Sequence, residues 1–431
     1  MFTFDPIGAF PRLWQTTFPS IDAFSLDPYA ELLKQQVITE DSPGLILKDF
    51  QIFLDFLQGN EVSVSTVNQL LQAKFLPDLN QHLSYPIDIQ LQRPIQKSYP
   101  YINGLYLLLR LLGITQITQY RRKQTLRVDP AVLEKWRQLN ATERYFALLE
   151  TWLMLANEDV IGERGGSVLD HSLYKLALFW FRTSNERIAF PTYKAQTDIH
   201  FIPGLHNIAL LHLFGLLDVQ TGETEPRQGW RVVSIQKLPL GEAFIRLATH
   251  TFMDQLTDGK AVEEVDALPV LDYGGLHSQL ISFFPEWRTI WQMPGEGYQD
   301  GLYIFKVSWG KTWRRLAIPA NLTLDWLATA ILDAYQFDYD HLYEFSYRDR
   351  TGRSYTVAHP ACEDPPFTSD MKVGDLPLAP GNFMTFWYDF GDDWKFKVEL
   401  VDIQPPAPKL KEPQILETKG KAPEQYSWYE E

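Results

Sequence analysis

Trp394, Phe396, Val398 and Leu400 alternate with Lys395, Lys397 and Glu399. A period of two sets one face of an extended strand in an apolar core and the other in water. Residues 383–388 read as the partner strand, and Asp389-Phe390-Gly391-Asp392 as the turn between them, with glycine free to take a positive φ. Asp389, Asp392 and Asp393 cluster at that end of the sheet. Two chemistries suit such a cluster. Aspartates bond nearby backbone N–H groups in turns, and grouped carboxylates hold a cation or a basic partner.

The residues upstream extend the pattern. Tyr303–Val307 and Trp313–Ile318 read as a strand pair. Thr323 stands where a cap belongs, before a helix with Leu324, Leu327, Ala328, Ile331, Leu332 and Tyr335 on one face. His341-Leu342-Tyr343-Glu344-Phe345 begins another strand. The order β-β-α-β-β plus a closing hairpin predicts an α+β layer, one helix over one face of a mixed sheet.

Four motifs in this order carry a family resemblance: Trp313-Arg314-Arg315, the helix from Leu324, His341 to Phe345, and Tyr388-Asp389-Phe390-Gly391-Asp392-Asp393-Trp394. Residues 301–403 resemble the plasmid pRiA4b ORF-3-like family. The resemblance implies a β-grasp-like domain of a kind met on plasmids and mobile elements, and it carries over no catalytic residue. Two departures stand out. Members often have a histidine two residues after the hairpin tryptophan, where this chain has Phe396. They often continue into a cysteine-containing, proline-rich segment with an acidic end, and Gly420–Tyr426 here has no cysteine. A metal site built on that segment would be lost in this chain.

The first 293 residues read as mainly helical. Ile46, Leu47, Phe50, Phe53, Leu54 and Leu57 form one apolar stripe; Val67, Leu70, Leu71 and Phe75 suggest a second helix begun near Ser65 or Thr66. Leu105, Leu108, Leu109 and Leu112 form a third, with Gly113 at its C-cap. A hairpin follows, with strands at 114–119 and 125–128 and a basic tip. Asp129-Pro130 then opens a helix, and Asn140 with Glu143 makes a capping box for the next. Helix, helix, helix, hairpin is a winged-helix-like outline. A second copy is expected at 190–255, beside the first at 41–140, from a shared Leu-x-x-Gly-apolar, hairpin, proline, helix pattern. The fold class is therefore multidomain α+β: a mainly helical, winged-helix-like region over 1–293, a β-grasp-like domain over 298–403, and a proline-rich extended tail over 404–431.

Charge is uneven. The whole chain carries −15 and residues 295–431 carry fourteen bases against twenty-two acids, yet residues 81–128 hold seven bases and one acid, a net of +6. An acidic whole argues against a nonspecific nucleic-acid binder. A basic hairpin tip, Tyr120, Arg121, Arg122, Lys123 and Arg127, is where phosphate contacts are expected; the plainer alternative is a solvated hairpin whose charges pair within the protein.

Enzyme signatures fail. There is no Walker A loop, HExxH, GxSxG or paired CxxC. Asp389-Phe390-Gly391 matches the kinase triplet without its glycine-rich loop or catalytic loop. One cysteine, Cys362, beside His359, Glu363 and Asp364, is too little for a structural zinc site. No long apolar run predicts a membrane span and the start lacks a secretory pattern, so the expected place is the cytoplasm. The expectation is a non-enzymatic binding or adaptor protein with no cofactor, a protein partner and no membrane, its C-terminal domain serving for docking. Two alternatives stand: a DNA-binding regulator using the wing at 121–127, and a metal-dependent enzyme centred on Asp389, Asp392 and Asp393.

Overall fold

A computed structural model describes residues 25–120, 123–163, 172–257, 273–294, 297–363 and 366–425. Two compact units emerge, residues 1–116 with 125–293, and residues 117–124 with 294–431. The architecture is mixed α+β.

Among the described residues α1 (Ala30–Gln35) comes first, and one order of elements then runs twice through the first unit, residues 117–124 of the first hairpin being grouped with the second unit. The first copy is α2 (Ile46–Gly59), β1 (Val62–Val64), α3 (Leu76–His82), α4 (Pro100–Leu111), β2 (Thr115–Tyr120), β3 (Lys123–Val128) and α5 (Pro130–Gln138). After α6 (Ala141–Glu150) comes the second: α7 (Ser172–Arg182), β4 (Ile188–Ala189), α8 (Thr197–Ile199), α9 (Leu205–Leu213), β5 (Leu217–Thr221), β6 (Val232–Lys237) and α10 (Pro239–Thr257). A short α11 (Gly275–Leu280) follows. Both sheets have the same order, β1-β3-β2 and β4-β6-β5.

The correspondence reaches single hydrogen bonds. Gly113 and Gly215 end α4 and α9 at φ of 67° and 71°, a left-handed turn that glycine makes without a Cβ clash. Their N–H groups donate to Arg110 O and His212 O, each at 3.0 Å. Beyond each hairpin, Asp129 N donates to Ile114 O at 2.8 Å and Leu238 N to Leu216 O at 3.0 Å, and a proline opens the next helix. The two third helices pack on one another, and Gly104 of α4 lies under Leu210 of α9. All twelve residues of α4 are buried, and so are all of α9 but Leu205 and His212.

Much of the local chemistry follows the sequence. The apolar stripe of α2 is buried throughout. Asp129 Oδ1 accepts from Ala131 N at 2.9 Å, and Asn140 and Glu143 exchange the two bonds of a capping box at 2.9 Å each. The helix expected from Ser65 does not form. Ser65 instead bonds Leu70 through both its backbone N–H and its hydroxyl, and Gln69 takes a φ of 54°. A hydroxyl that closes a local turn competes with helix formation. Val67 is exposed, and the helix starts at Leu76, with Pro77 in its first turn.

Besides Glu143 of the capping box, Glu150 and Glu158 are buried in this unit. Glu158 contacts Lys175 Nζ, His206 Nε2 at 3.4 Å and Asn207 Nδ2 at 3.4 Å. Burial alone would raise its pKa, but His206 and Lys175 together hold it below the usual carboxylate range. Glu150 accepts from Leu276 N at 3.1 Å, and burial pushes its pKa up to about 7 against that bond.

The second unit is one seven-stranded sheet under a helix. Its strands are β7 (Leu302–Trp309), β8 (Thr312–Pro319), β9 (Tyr343–Arg348), β10 (Ser354–Ala358), β11 (Phe383–Tyr388), β12 (Trp394–Gln404) and β13 (Gln414–Lys419), and α12 (Leu324–Tyr335) follows β8. The spatial order is β10-β9-β11-β12-β7-β8-β13. Met384, Phe386 and Tyr388 pair with Val398, Phe396 and Trp394, so the apolar alternation of residues 394–400 becomes the core face.

Three expectations change here. The sheet is not mixed, because every neighbouring pair is antiparallel. α12 returns the chain so that β9 runs with β8, but β7, β12 and β11 stand between them. The segment beyond 404 is more than an extended tail, since residues 414–419 pair with β8 and complete the sheet. Thr323 is the N-cap of α12 by position, yet its side chain makes no capping bond.

Candidate functional site

The hairpin turn is built by the aspartates. Asp389 and Asp393, at φ of 52° and 56°, take the left-handed conformations expected of Gly391, which has none. Asp tolerates this region because its short carboxylate bonds the local backbone. Asp389 is buried, and its Oδ1 accepts from Gly391 N at 3.0 Å and Asp392 N at 3.3 Å. Its Oδ2 faces His341 Nε2 at 3.4 Å, and its own N–H donates to Leu342 O at 3.0 Å. The Tyr388 hydroxyl donates to Asp338 O at 2.6 Å and lies 3.1 Å from Asp340 Oδ1. Burial first, then Asp340, pushes its pKa up to about 12.

The carboxylates of Asp389 and Asp393 are already engaged within the turn. One oxygen of Asp389 is taken by backbone donors, and Asp393 lies 2.5 Å from Lys395 Nζ. Among the described residues no group of three or more His, Cys, Asp or Glu is arranged to hold a metal ion.

The rest of the family motif serves the fold. Arg314 is buried, and its Nε donates to Ala334 O at 2.8 Å at the end of α12. Its Nη1 donates to Trp313 O, Lys419 O and Gly420 O at 3.0, 3.1 and 3.3 Å, tying the helix to the segment after β13. The guanidinium also lies 4.7 Å from the Tyr335 ring centre. Arg315 faces Glu417 in the β8–β13 register. Phe345 packs on Phe386 at 4.7 Å.

A cavity of about 570 Å³ opens at the acidic corner, lined by Trp309, Asp392, Asp393, Trp394, Ala422, Pro423 and Glu424. Two of its lining residues are tryptophans. The Trp309 and Trp394 rings meet at 5.3 Å and 47°, and Phe337 backs Trp394 at 4.8 Å. Three of the other lining residues, Asp392, Asp393 and Glu424, are acidic, and neither histidine nor cysteine, serine or threonine is among them. Asp393 is paired with Lys395, and Glu424 with the exposed Lys421 at 3.0 Å. Among the described residues no cation pairs with Asp392.

Sequence reasoning placed Asp392, Asp393 and Trp394 together but missed Trp309 and Glu424. Trp309 was within reach, because it continues the parity of Tyr303, Phe305 and Val307. Glu424 arrives through a long-range strand pairing and leaves no local signal.

The residues proposed for DNA are scattered in kind. Arg121 and Arg122 lie outside the described residues. Tyr120 ends β2, and Lys123 and Arg127 are exposed on β3. The local +6 overstates the available charge. Arg110 is buried against Tyr106 and Gln69, and Lys97 is held by Gly162 O at 2.9 Å and Glu163 at 2.8 Å.

The model of the plasmid pRiA4b ORF-3-like protein family matches residues 306–426, a span that contains every residue lining the cavity. A crystal structure of a protein of unknown function from Methanosarcina mazei Go1 is similar at 28% identity, over 28% of this chain and 71% of that one, with a TM-score of 0.26. No curated protein matches. Among the described residues no helix is long and apolar enough to cross a membrane.

Proposed function

We propose that the protein is a non-enzymatic adaptor whose C-terminal unit docks a protein partner by taking one of its cationic side chains into the cavity at Trp309 and Trp394. One observation carries this: two indoles and three carboxylates line a single cavity. Indole faces attract cations through the ring quadrupole, by about 0.5–2 kcal/mol depending on desolvation. Asp392, with no ion-pair partner among the described residues, supplies the charge. The net −8 of residues 295–431 adds a field that draws basic partners and raises the encounter rate. Without a nucleophile or an imidazole on its wall, the cavity suits holding better than turnover.

We read the two repeated modules of the first unit as winged-helix-like, and the second unit as a β-grasp-like variant with an antiparallel sheet. The helices that would enter a DNA groove are α4 and α9. Their burial against each other leaves only a hairpin for phosphate, so the adaptor reading is preferred over a DNA-binding regulator. A link to mobile elements rests on the name of the matched family alone. The cytoplasm is the compartment we assign, consistent with a single cysteine.

The test is calorimetric titration of the full chain with Nα-acetyl-arginine amide, Nα-acetyl-lysine amide and the neutral citrulline analogue. The cationic compounds should bind at least about tenfold tighter than citrulline, equivalent to ~1.4 kcal/mol, and Asp392→Asn should remove most of that preference. Equal affinity for citrulline, or no saturable binding, would sink the reading.

A further inference from the structure

One wall of this cavity comes from residues that follow the last strand of the sheet. Ala422, Pro423 and Glu424 come from the segment after β13, which lies across the sheet end as a strap. Ala422 packs against the hydrophobic core, and hydrogen bonds hold the rest. Thr312 Oγ1 donates to Lys421 O at 3.2 Å, and Arg314 reaches Lys419 O and Gly420 O. At its far end the buried side chain of Gln425 accepts the Asp338 N–H at 2.7 Å, and its Nε2 lies 3.5 Å from the Tyr388 hydroxyl. That hydroxyl also binds Asp338 O and Asp340. Gln425 thus joins the strap to the His341–Asp389 corner, while Glu424, one residue earlier, brings the third carboxylate to the cavity.

Resting on the cation-docking reading above, we propose that the strap over residues 420–425 is a latched wall: its docking and occupation of the cavity form one coupled equilibrium, and Gln425 is the positioning residue that sets it. A ligand that touches Glu424 only when the strap is down binds the closed state better, and must stabilise that state by the same factor. Loosening the latch then weakens binding with every lining side chain still present.

The experiment follows backbone hydrogen exchange of residues 414–425 in the full chain, with and without Nα-acetyl-arginine amide, alongside calorimetry. In the natural protein the ligand should slow exchange in the strap. Gln425→Ala should speed it and weaken ligand affinity by a matching factor, roughly three- to tenfold for one lost hydrogen bond. Glu424→Gln should weaken affinity while leaving exchange of the ligand-free strap unchanged. If Gln425→Ala also speeds exchange in α12, the domain itself is loosened, and Thr312→Ala becomes the variant that decides. Binding that leaves strap exchange untouched, with wild-type affinity in Gln425→Ala and Thr312→Ala, would overturn the latch and leave the docking reading standing. Absence of binding to the natural protein would overturn both.

Discussion

A Cβ built on Gly104 would lie 2.7 Å from Leu210 Cγ and 3.0 Å from Leu210 Cδ2, so the two central helices of the first unit meet at a point only glycine allows. Gly104→Ala should therefore destabilise the protein by about 1–3 kcal/mol through overpacking, despite alanine's better helix propensity of up to ~1 kcal/mol. Adding Leu210→Ala should recover part of the overpacking loss, giving a non-additive cycle. Denaturant unfolding of the three variants measures this, and purely additive effects would refute it.

Asp389 closes the turn between β11 and β12 and holds a left-handed φ there. Asp389→Ala should lose about 1–3 kcal/mol, combining an unmade buried bond with backbone strain. Asp389→Asn keeps one acceptor and the tolerance for that conformation, and should lose less. Millimolar Mg²⁺ or Ca²⁺ should leave the melting temperature of the natural protein unchanged. A clear cation-dependent rise that Asp389→Asn abolishes would support the metal reading instead.

Glu150 has a folded pKa of about 7, above its ordinary value of 4.5. The sign follows from proton binding. Between these two pH values the unfolded chain has released the proton that the folded state retains, so stability falls as pH rises through this window and then levels off. Glu150→Gln removes that term. Relative to this variant, the natural protein should lose about 1–3 kcal/mol between pH 4.5 and pH 8. Unfolding free energies of both at the two ends settle it, and a pH-independent difference would contradict the assignment.

Glu158 behaves in the opposite sense. Its folded pKa is lowered, so the stability it contributes is present above the ordinary glutamate range and disappears as pH falls through the folded value. Lys175→Met removes one of the two basic side chains that face the buried Glu158 carboxylate and should cost about 2–4 kcal/mol at pH 7. The gap should narrow in acid, where Glu158 takes up a proton. A gap that stays constant from pH 7 to pH 4 would mean that Lys175 acts only through packing.

Periodicity exposed the elements whose partners are near in sequence. The stripe of α2, the helix α12 and the β11–β12 hairpin were all legible, because their apolar positions repeat at 3.6 or 2.0 residues. The repeated module was legible through its punctuation, Gly113 with Pro130 and Gly215 with Pro239. What escaped was settled by distant or competing contacts. Ser65 spends its hydroxyl on a turn rather than a cap. Arg110 looks like surface charge in the sequence and lies in the core against Tyr106. Residues 414–419 read as part of a spacer because neither β8 nor Arg314 is anywhere near them in the chain. The cavity was half visible for the same reason: its aspartates and Trp394 lie within three residues of one another, whereas Glu424 is brought in by that remote pairing.

Strand β8 is made about a hundred residues before the partner for its outer edge, β13. A chain emerging from the ribosome can finish the β7–β8 hairpin and close α12 over it long before Gln414 appears. Throughout that interval the free side of β8 presents unsatisfied amides and carbonyls to any extended neighbour, including another nascent copy. The late arrival of β13, with Glu417 and Lys419 along it, ends that exposure of β8 and puts a strand bearing charges at the rim of the sheet.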